Sequence, residues 1–341
     1  MRVLVIGGTG FLGPFLVHEL ERRGQLVAVF HRGKSAPAFP VNVRHILGDR
    51  RDLKAHGAEL RRFSPDVVID VILSSRAQAE ALMAQFRGVA RRVAAVSSAD
   101  VYRACGVLHR TESGPLEPLP LTEDSPLRTG PAYPPAVLKS VQSVYGWVDD
   151  DYDKVPVERA VLGDPELPGT VVRLPMVYGP GDPLQRFHPI LKRIDDRRDK
   201  ILFADEVAAW RAPRGYVENV ATAVALAATA ERAAGRVYNV AEQPAFSELE
   251  WAEMIAARAG WRGQFVVLPR DRTPAHLLGP GNRAQHWVVS SSRIRTELGY
   301  QEPVSLDDAL RRTIAWQRAH PPAHVNPQEF DYAAEDAALA A

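Results

Sequence analysis

The chain is poor in several features, and each shortage removes a class of function. It has one cysteine, Cys105, so neither an internal disulfide nor a Cys-based zinc site can form. A lone thiol of this kind is more often inert than reactive. No apolar run approaches the roughly 18 residues of a membrane span. Strand-like residues begin at Arg2, so no signal peptide is expected ahead of them. Neither sign of charge is in excess: 42 basic residues face 41 acidic ones, so nothing global attracts nucleic acid or an anionic membrane. The expectation is a cytoplasmic protein, monomeric or homodimeric, with a small-molecule substrate. No metal site, membrane partner or nucleic-acid partner is expected.

What is present is concentrated at the start. Arg2 to Ile6 is a short run of Val, Leu and Ile after the arginine and reads as a parallel strand buried on both faces. Gly7, Gly10 and Gly13 follow, then a helical stretch from Phe15 to Arg23 that ends at Gly24. A strand, a glycine turn and a helix N-terminus make a phosphate site, because free N–H groups and the helix dipole both face an anion. The glycines let the backbone turn and approach a pyrophosphate. Gly7, Thr9, Gly10, Phe11, Leu12 and Gly13 are therefore the expected dinucleotide contacts.

The same alternation continues. Strands are expected at Gln25–Phe30, Val43–Leu47, Asp66–Leu73, Arg92–Val96 and Thr170–Leu174, with helices at Leu53–Phe63 and Gln78–Arg87. This pattern predicts an α/β fold: a Rossmann-type doubly wound parallel sheet, with ligands beyond the C-terminal strand ends. The tip after the second strand carries Arg32 and Lys34 and no carboxylate. A carboxylate there would suit a ribose 2′-hydroxyl, whereas arginine suits a 2′-phosphate, so NADP is preferred over NAD. Asp52, with Leu53, is placed either near the adenine or at the start of the following helix. Leu73, Ser97, Pro175 and Val177 sit at strand ends facing the same crevice.

Asp100 to Pro135 reads as a long loop because of its prolines. One helix is expected from Ala136 or Gln142 to Val161, and a basic one from Leu184 to Asp195. The domain reading is a dinucleotide domain over 1–175, to which 215–242 returns. A smaller α/β substrate domain takes 176–214 and 243–320, and a loosely ordered tail covers 321–341.

Several motifs together resemble the extended short-chain dehydrogenase/reductase superfamily, specifically its NAD-dependent epimerase/dehydratase group. They are Gly7-Gly8-Thr9-Gly10-Phe11-Leu12-Gly13, Ser97-Ser98-Ala99-Asp100-Val101-Tyr102, and Pro120 through Pro126. Arg173 through Tyr178-Gly179-Pro180-Gly181-Asp182, Tyr216 through Ala223, Gly235 through Val240 and Leu298 through Pro303 complete the set. The tip Phe30 to Lys34 also looks like the atypical branch that includes chloroplast stem-loop-binding relatives. The resemblance implies a nicotinamide cofactor, a C-terminal domain closing over a substrate that is often a nucleotide sugar, and a Ser/Thr, Tyr and Lys set. Carried over residue by residue, it points to Ser98 for the hydroxyl and Lys154 for the lysine, because Glu158 follows Lys154 as the family's pattern requires.

The expected tyrosine four residues before Lys154 is missing, and Asp150 stands there. Tyr152 is two residues before Lys154, about 200° round a regular helix, so it serves only where the backbone is irregular. Tyr145 and Tyr102 are further candidates. Asp150 is either an i, i+4 partner of Lys154 or itself the acid. Asp100 is either a turn cap or an acid that protonates a leaving hydroxyl. Arg186, His188, Lys192 and Arg193, or Arg211 and Arg214, are either a substrate-phosphate site or solvated basic faces. Tyr178 completes the substrate-side candidates. The implied activity is hydride transfer in an epimerase, dehydratase or reductase. The missing tyrosine leaves open a non-catalytic sensor or RNA-associated protein.

Overall fold

In the computed structural model, residues 1–34, 37 and 39–340 are described. Six strands form the body of one sheet: β1 (Arg2–Ile6), β2 (Leu26–His31), β3 (Arg44–Leu47), β4 (Val67–Asp70), β5 (Arg92–Ser98) and β6 (Gly169–Leu174). Two short strands, β7 (Met176–Tyr178) and β9 (Arg214–Tyr216), pair with each other, as do β8 (Lys200–Ala204) and β11 (Gln264–Leu268). The edge strand β10 (Val237–Asn239) brings the main sheet to seven, in the order β10-β6-β5-β4-β1-β2-β3. Every pairing in it is parallel. The strand order reverses between β1 and β4, which opens a crevice at their C-terminal ends.

Period-two alternation divides β1 between two cores. Val3 and Val5 pack on one face with Leu16, Val17 and the Val217–Thr229 helix. Leu4 and Ile6 pack on the other with Leu60, Leu82 and Phe86. Both faces are buried, as a parallel sheet requires.

Three expectations from sequence need correction. The stretch 100–135 is not one loop: Arg103–His109 is helical, because every proline in it lies at 115 or beyond. The single helix through 136–161 is two, Pro135–Val144 and Lys154–Leu162, separated by the turn at 145–153. Pro156 explains the restart. It lacks the N–H a helix interior needs, so it fits only in a first turn, and Asp153 caps that turn by accepting from Val155 N–H at 2.9 Å. The tail after 321 is ordered, with a helix at Tyr332–Ala340. Its Glu335 is fully buried against Arg193 and His276, at 2.6 and 3.1 Å. Among the described residues, no helix is long and apolar enough to cross a membrane.

Candidate active site

A cleft of about 730 Å³ runs along the C-terminal strand ends. Its floor is the glycine turn, with Gly7, Thr9, Gly10, Phe11, Leu12 and Gly13 all facing it. Each glycine has its own reason. Gly7 sits at φ +82°, and an added Cβ would meet Ile72 at 2.7 Å. At Gly13 a Cβ would lie 2.3 Å from the Gly8 carbonyl, so only glycine lets the helix start this close to the strand end. At Gly10 a Cβ would meet nothing nearer than Gly7 O at 3.9 Å and would stand in open space. That cradle, at the start of the Gly13–Arg22 helix, fits a dinucleotide pyrophosphate.

At the far end of the turn, His31, Arg32, Asp49, Arg50 and Arg51 line the cleft. Asp49, not Asp52, takes the position after β3. It accepts from Arg51 N–H at 2.9 Å and pairs with the Arg51 guanidinium at 2.9 Å. The Arg51 hydrogen bonds hold the Asp49 carboxyl down at about 2, with Arg32 adding to the effect. Asp52 is exposed at a kink and Leu53 is in the core, so neither faces the cleft. Arg50 is spent on buried Asp70, at 2.9 Å.

The centre of the cleft gathers Ser98, Asp100, Tyr152 and Lys154. Because its helix begins only at Lys154, Tyr152 belongs to the preceding turn, and the angular objection to it disappears. Its hydroxyl donates to Asp100 Oδ2 at 2.8 Å, and Tyr133 donates to the same oxygen at 3.1 Å. The two rings stack with centroids 6.3 Å apart. Among the described residues, Asp100 Oδ1 is buried without a partner. Burial, then the Asp100 charge, pushes the Tyr152 and Tyr133 hydroxyls well above the ordinary tyrosine value. Ser98 Oγ accepts from Asp100 N–H at 3.2 Å.

Lys154 is almost fully buried. Its ammonium donates to Leu73 O and, at 3.1 Å, to Val96 O, and it lies over the Trp147 and Tyr152 rings. Burial lowers it to about 8, against the pull of Asp100 and Asp70. Leu73 thus contributes its carbonyl while its side chain stays in the core. Ser97 lines the cleft, yet its hydroxyl donates to Glu158 at 2.6 Å, and Glu158 is clamped by Arg173 at 2.7 Å. Pro175 and Val177 border the cleft, as does Tyr145.

Other expected site residues lie elsewhere. Asp150 is exposed and accepts from Gln142 at 2.9 Å, so it is neither a helical partner of Lys154 nor in the cleft. Tyr102 is in the core, with its hydroxyl between Arg173 and Asn239 at 2.9 and 2.6 Å. Tyr178 is likewise fully buried and donates to Glu242 at 3.1 Å. Arg214 pairs with Glu248 at 2.6 Å and covers Trp251. The basic helix is shorter than expected, His188–Asp195, and its cations are committed. Arg193 meets Glu335 and Lys192 meets Asp196 at 2.7 Å, while Arg211 meets Glu250 at 2.9 Å. Arg186 does line the cleft but is held by Asp182, at 2.7 Å, and by Val177 O. Sequence reasoning missed Tyr133, Trp147 and Asp49. Only Asp49, two residues after a strand, carried a local signal.

A seven-stranded parallel sheet with a glycine cradle and a buried lysine beside a tyrosine–carboxylate pair defines a nicotinamide-cofactor enzyme. The chain belongs to the NAD-dependent epimerase/dehydratase family, whose family model matches residues 3–241. It is an oxidoreductase or epimerase of that group, acting by hydride transfer with a nicotinamide cofactor. It is 26% identical over 329 residues to a 3-diazoavenalumate denitrifying reductase from a Streptomyces species, spanning 94% of this chain and 97% of that protein. A 2'-dehydrokanamycin reductase of Streptomyces kanamyceticus is 32% identical over 181 residues, 52% of this chain and 43% of that one. The fold matches Bordetella bronchiseptica WbmG, solved in complex with NAD, at a TM-score of 0.67 and 18% identity over 94% of both chains.

Proposed function

We propose that the protein is an NADP-preferring reductase of a small carbonyl compound, with Tyr152 as the proton donor. The observation that carries this is the Tyr152 hydroxyl in the cleft, 2.8 Å from Asp100 and beside Lys154. The glycine turn would hold the pyrophosphate, and Lys154, with its carbonyl anchors, the nicotinamide ribose. When bound, the reduced nicotinamide supplies hydride to the carbonyl carbon.

The chain's own part is the proton. A phenol whose pKa is raised stays neutral at working pH, so it begins the reaction as a donor. Ser98 offers a second hydroxyl for the developing oxyanion. Asp100 fixes the phenol's orientation through Oδ2, and the tyrosine regains its proton from solvent once product has left the cleft. Trp147 shields Lys154 and keeps water from this centre. The two relatives named as reductases support this direction of the chemistry. The family and the relatives named as reductases favour an enzyme over a non-catalytic binding protein.

For the cofactor, Arg32 is exposed at the cleft's edge, and Asp49 is neutralised by Arg51. A 2′-phosphate there meets net positive charge. The test has two arms. In turnover assays with NADPH and a panel of aromatic and aliphatic aldehydes and ketones, Tyr152→Phe should lower kcat by about 10²–10⁴-fold with NADPH affinity unchanged. An unaltered kcat rejects Tyr152 as donor. In binding titrations, Arg32→Ala should weaken NADP by about tenfold and leave NAD unaffected. Equal losses for both would remove the 2′-phosphate argument.

A further inference from the structure

One wall of the cleft takes no part in the chemistry above. From Asp100, Tyr133 leads to His109, with ring centroids 5.2 Å apart. Leu108, next in the chain, accepts from Asn282 N–H at 2.7 Å, which brings the segment 280–287 alongside. That segment adds Arg283 and Trp287 to the lining. Trp287 Nε1 donates to Ala99 O at 3.1 Å, between Ser98 and Asp100 in sequence. The Arg283 guanidinium lies over the Trp210 ring, 4.1 Å from its centroid.

Arg283 differs from the other cations of the cleft. Arg50 has Asp70, Arg51 has Asp49 and Arg186 has Asp182, while Lys154 has two carbonyls. Arg32 is at the adenine end. Among the described residues, Arg283 has no ion pair and donates no hydrogen bond, and its Nε is buried without a partner. The two carboxylates that act on it from a distance are engaged elsewhere. Glu248 holds Arg214 at 2.6 Å, and Glu206 holds Arg270. A half-buried cation without a partner is costly unless an anion completes it. One face of the guanidinium is covered by indole, so its edge is what remains for a planar, two-oxygen acceptor.

Resting on the reading of this cleft as a reductase site, we propose that it takes a monocarboxylate with a flat aromatic or unsaturated body. Arg283 binds the carboxylate, and Trp210, Trp287 and Tyr133 pack against the body. A nucleoside diphosphate suits this wall poorly. It carries two adjacent charges, and Arg214, a candidate for the second, is already paired with Glu248 beside Trp251.

Calorimetry on the full chain loaded with NADP⁺ tests this without requiring turnover, so it stands or falls separately from the Tyr152 assays. The probes are 2-naphthoate, its neutral isostere 2-naphthamide, and UDP-glucose. Naphthoate should bind about tenfold or more tightly than naphthamide, as a charge-assisted bidentate contact implies. Arg283→Met should reduce naphthoate to the level of the amide, and Arg283→Lys should recover part of the loss, with NADP⁺ affinity unchanged in both. The wild-type acid–amide comparison needs no variant to fold. Equal binding of acid and amide, no binding of either, or unchanged naphthoate binding in Arg283→Met overturns the assignment. So does UDP-glucose displacing naphthoate with higher, Arg283-dependent affinity, which would make the wall a diphosphate site.

Discussion

Lys154 shows how one residue's surroundings decide what it can do. An ammonium removed from water loses solvation that two carbonyls and two aromatic faces only partly replace. Its value falls to about 8 for that reason. Between about pH 8 and the ordinary lysine value near 10.5, the unfolded chain binds more protons at this residue than the folded one. Stability contributed by Lys154 therefore rises with pH across that window. The unfolding free energy of the wild type relative to Lys154→Met should increase by on the order of 2 kcal/mol between pH 8 and 10. Urea denaturation of both proteins across this range checks it, and a difference that does not change with pH refutes a depressed Lys154. The legibility of the centre was uneven. Ser98 and Lys154 stand in motifs, so their positions could be read. Asp150 was misread because a continuous helix was assumed, and Pro156 was the local sign that the helix had to start again. Tyr133 comes from a loop about twenty residues upstream of Lys154, and no spacing rule reaches it.

Among the elements, the glycine turn carries the sharpest distinction. Its glycines are equivalent in sequence but serve different ends. Gly13 is needed by the fold, because a Cβ there would collide with the Gly8 backbone at 2.3 Å. Gly10 is not needed by the fold, because a Cβ there would meet nothing nearer than Gly7 O at 3.9 Å, and we propose that the space it leaves is for the cofactor's pyrophosphate. Gly10→Ala should therefore melt like the wild type and lose about tenfold or more in NADP affinity, the scale of a lost charge-assisted contact. Gly13→Ala should lose about 1–3 kcal/mol of stability through overpacking. Thermal melts and cofactor titrations on the two variants decide the matter; matched losses of stability would mean the two positions do the same work. The strands β1 to β6 were readable to within two or three residues because each is mostly apolar, whereas β7, β8 and β9 were not expected. One end that shifted was β4, which stops at Asp70 rather than Leu73. Asp70 accepts from Ile72 N–H at 3.0 Å, and that turns the chain out of the sheet.

At the scale of the molecule, the C-terminal residues are part of the packed structure. Glu335 is fully buried, and its carboxylate is held by Arg193 and His276 from two separate segments. Arg193 also donates to Glu329 O at 3.0 Å and lies over Phe330. Removing Glu335 would leave a buried guanidinium uncompensated. Glu335→Ala should cost about 3–5 kcal/mol, measured by denaturant unfolding, with Glu335→Gln falling between it and the wild type. A loss within experimental error of zero would mean that the tail does not dock. Composition alone suggested a loose tail here, because a single buried carboxylate leaves no periodic pattern in an alanine-rich segment.

The sequence by itself determined the parallel sheet, the glycine turn and the family, because all three depend on local patterns: apolar runs, a glycine spacing and the order of short motifs. Only the tertiary structure decided which cations are free. Arg186, Arg193, Arg211, Arg214 and Arg283 are alike in sequence, but four have carboxylate partners, and for Arg193, Arg211 and Arg214 that partner lies more than thirty residues away. It also decided that Tyr152 meets Asp100, 52 residues earlier, at the cleft's centre. Charge pairing and proton transfer depend on distances of a few ångströms between residues far apart in the chain, and those distances exist only once the chain has folded.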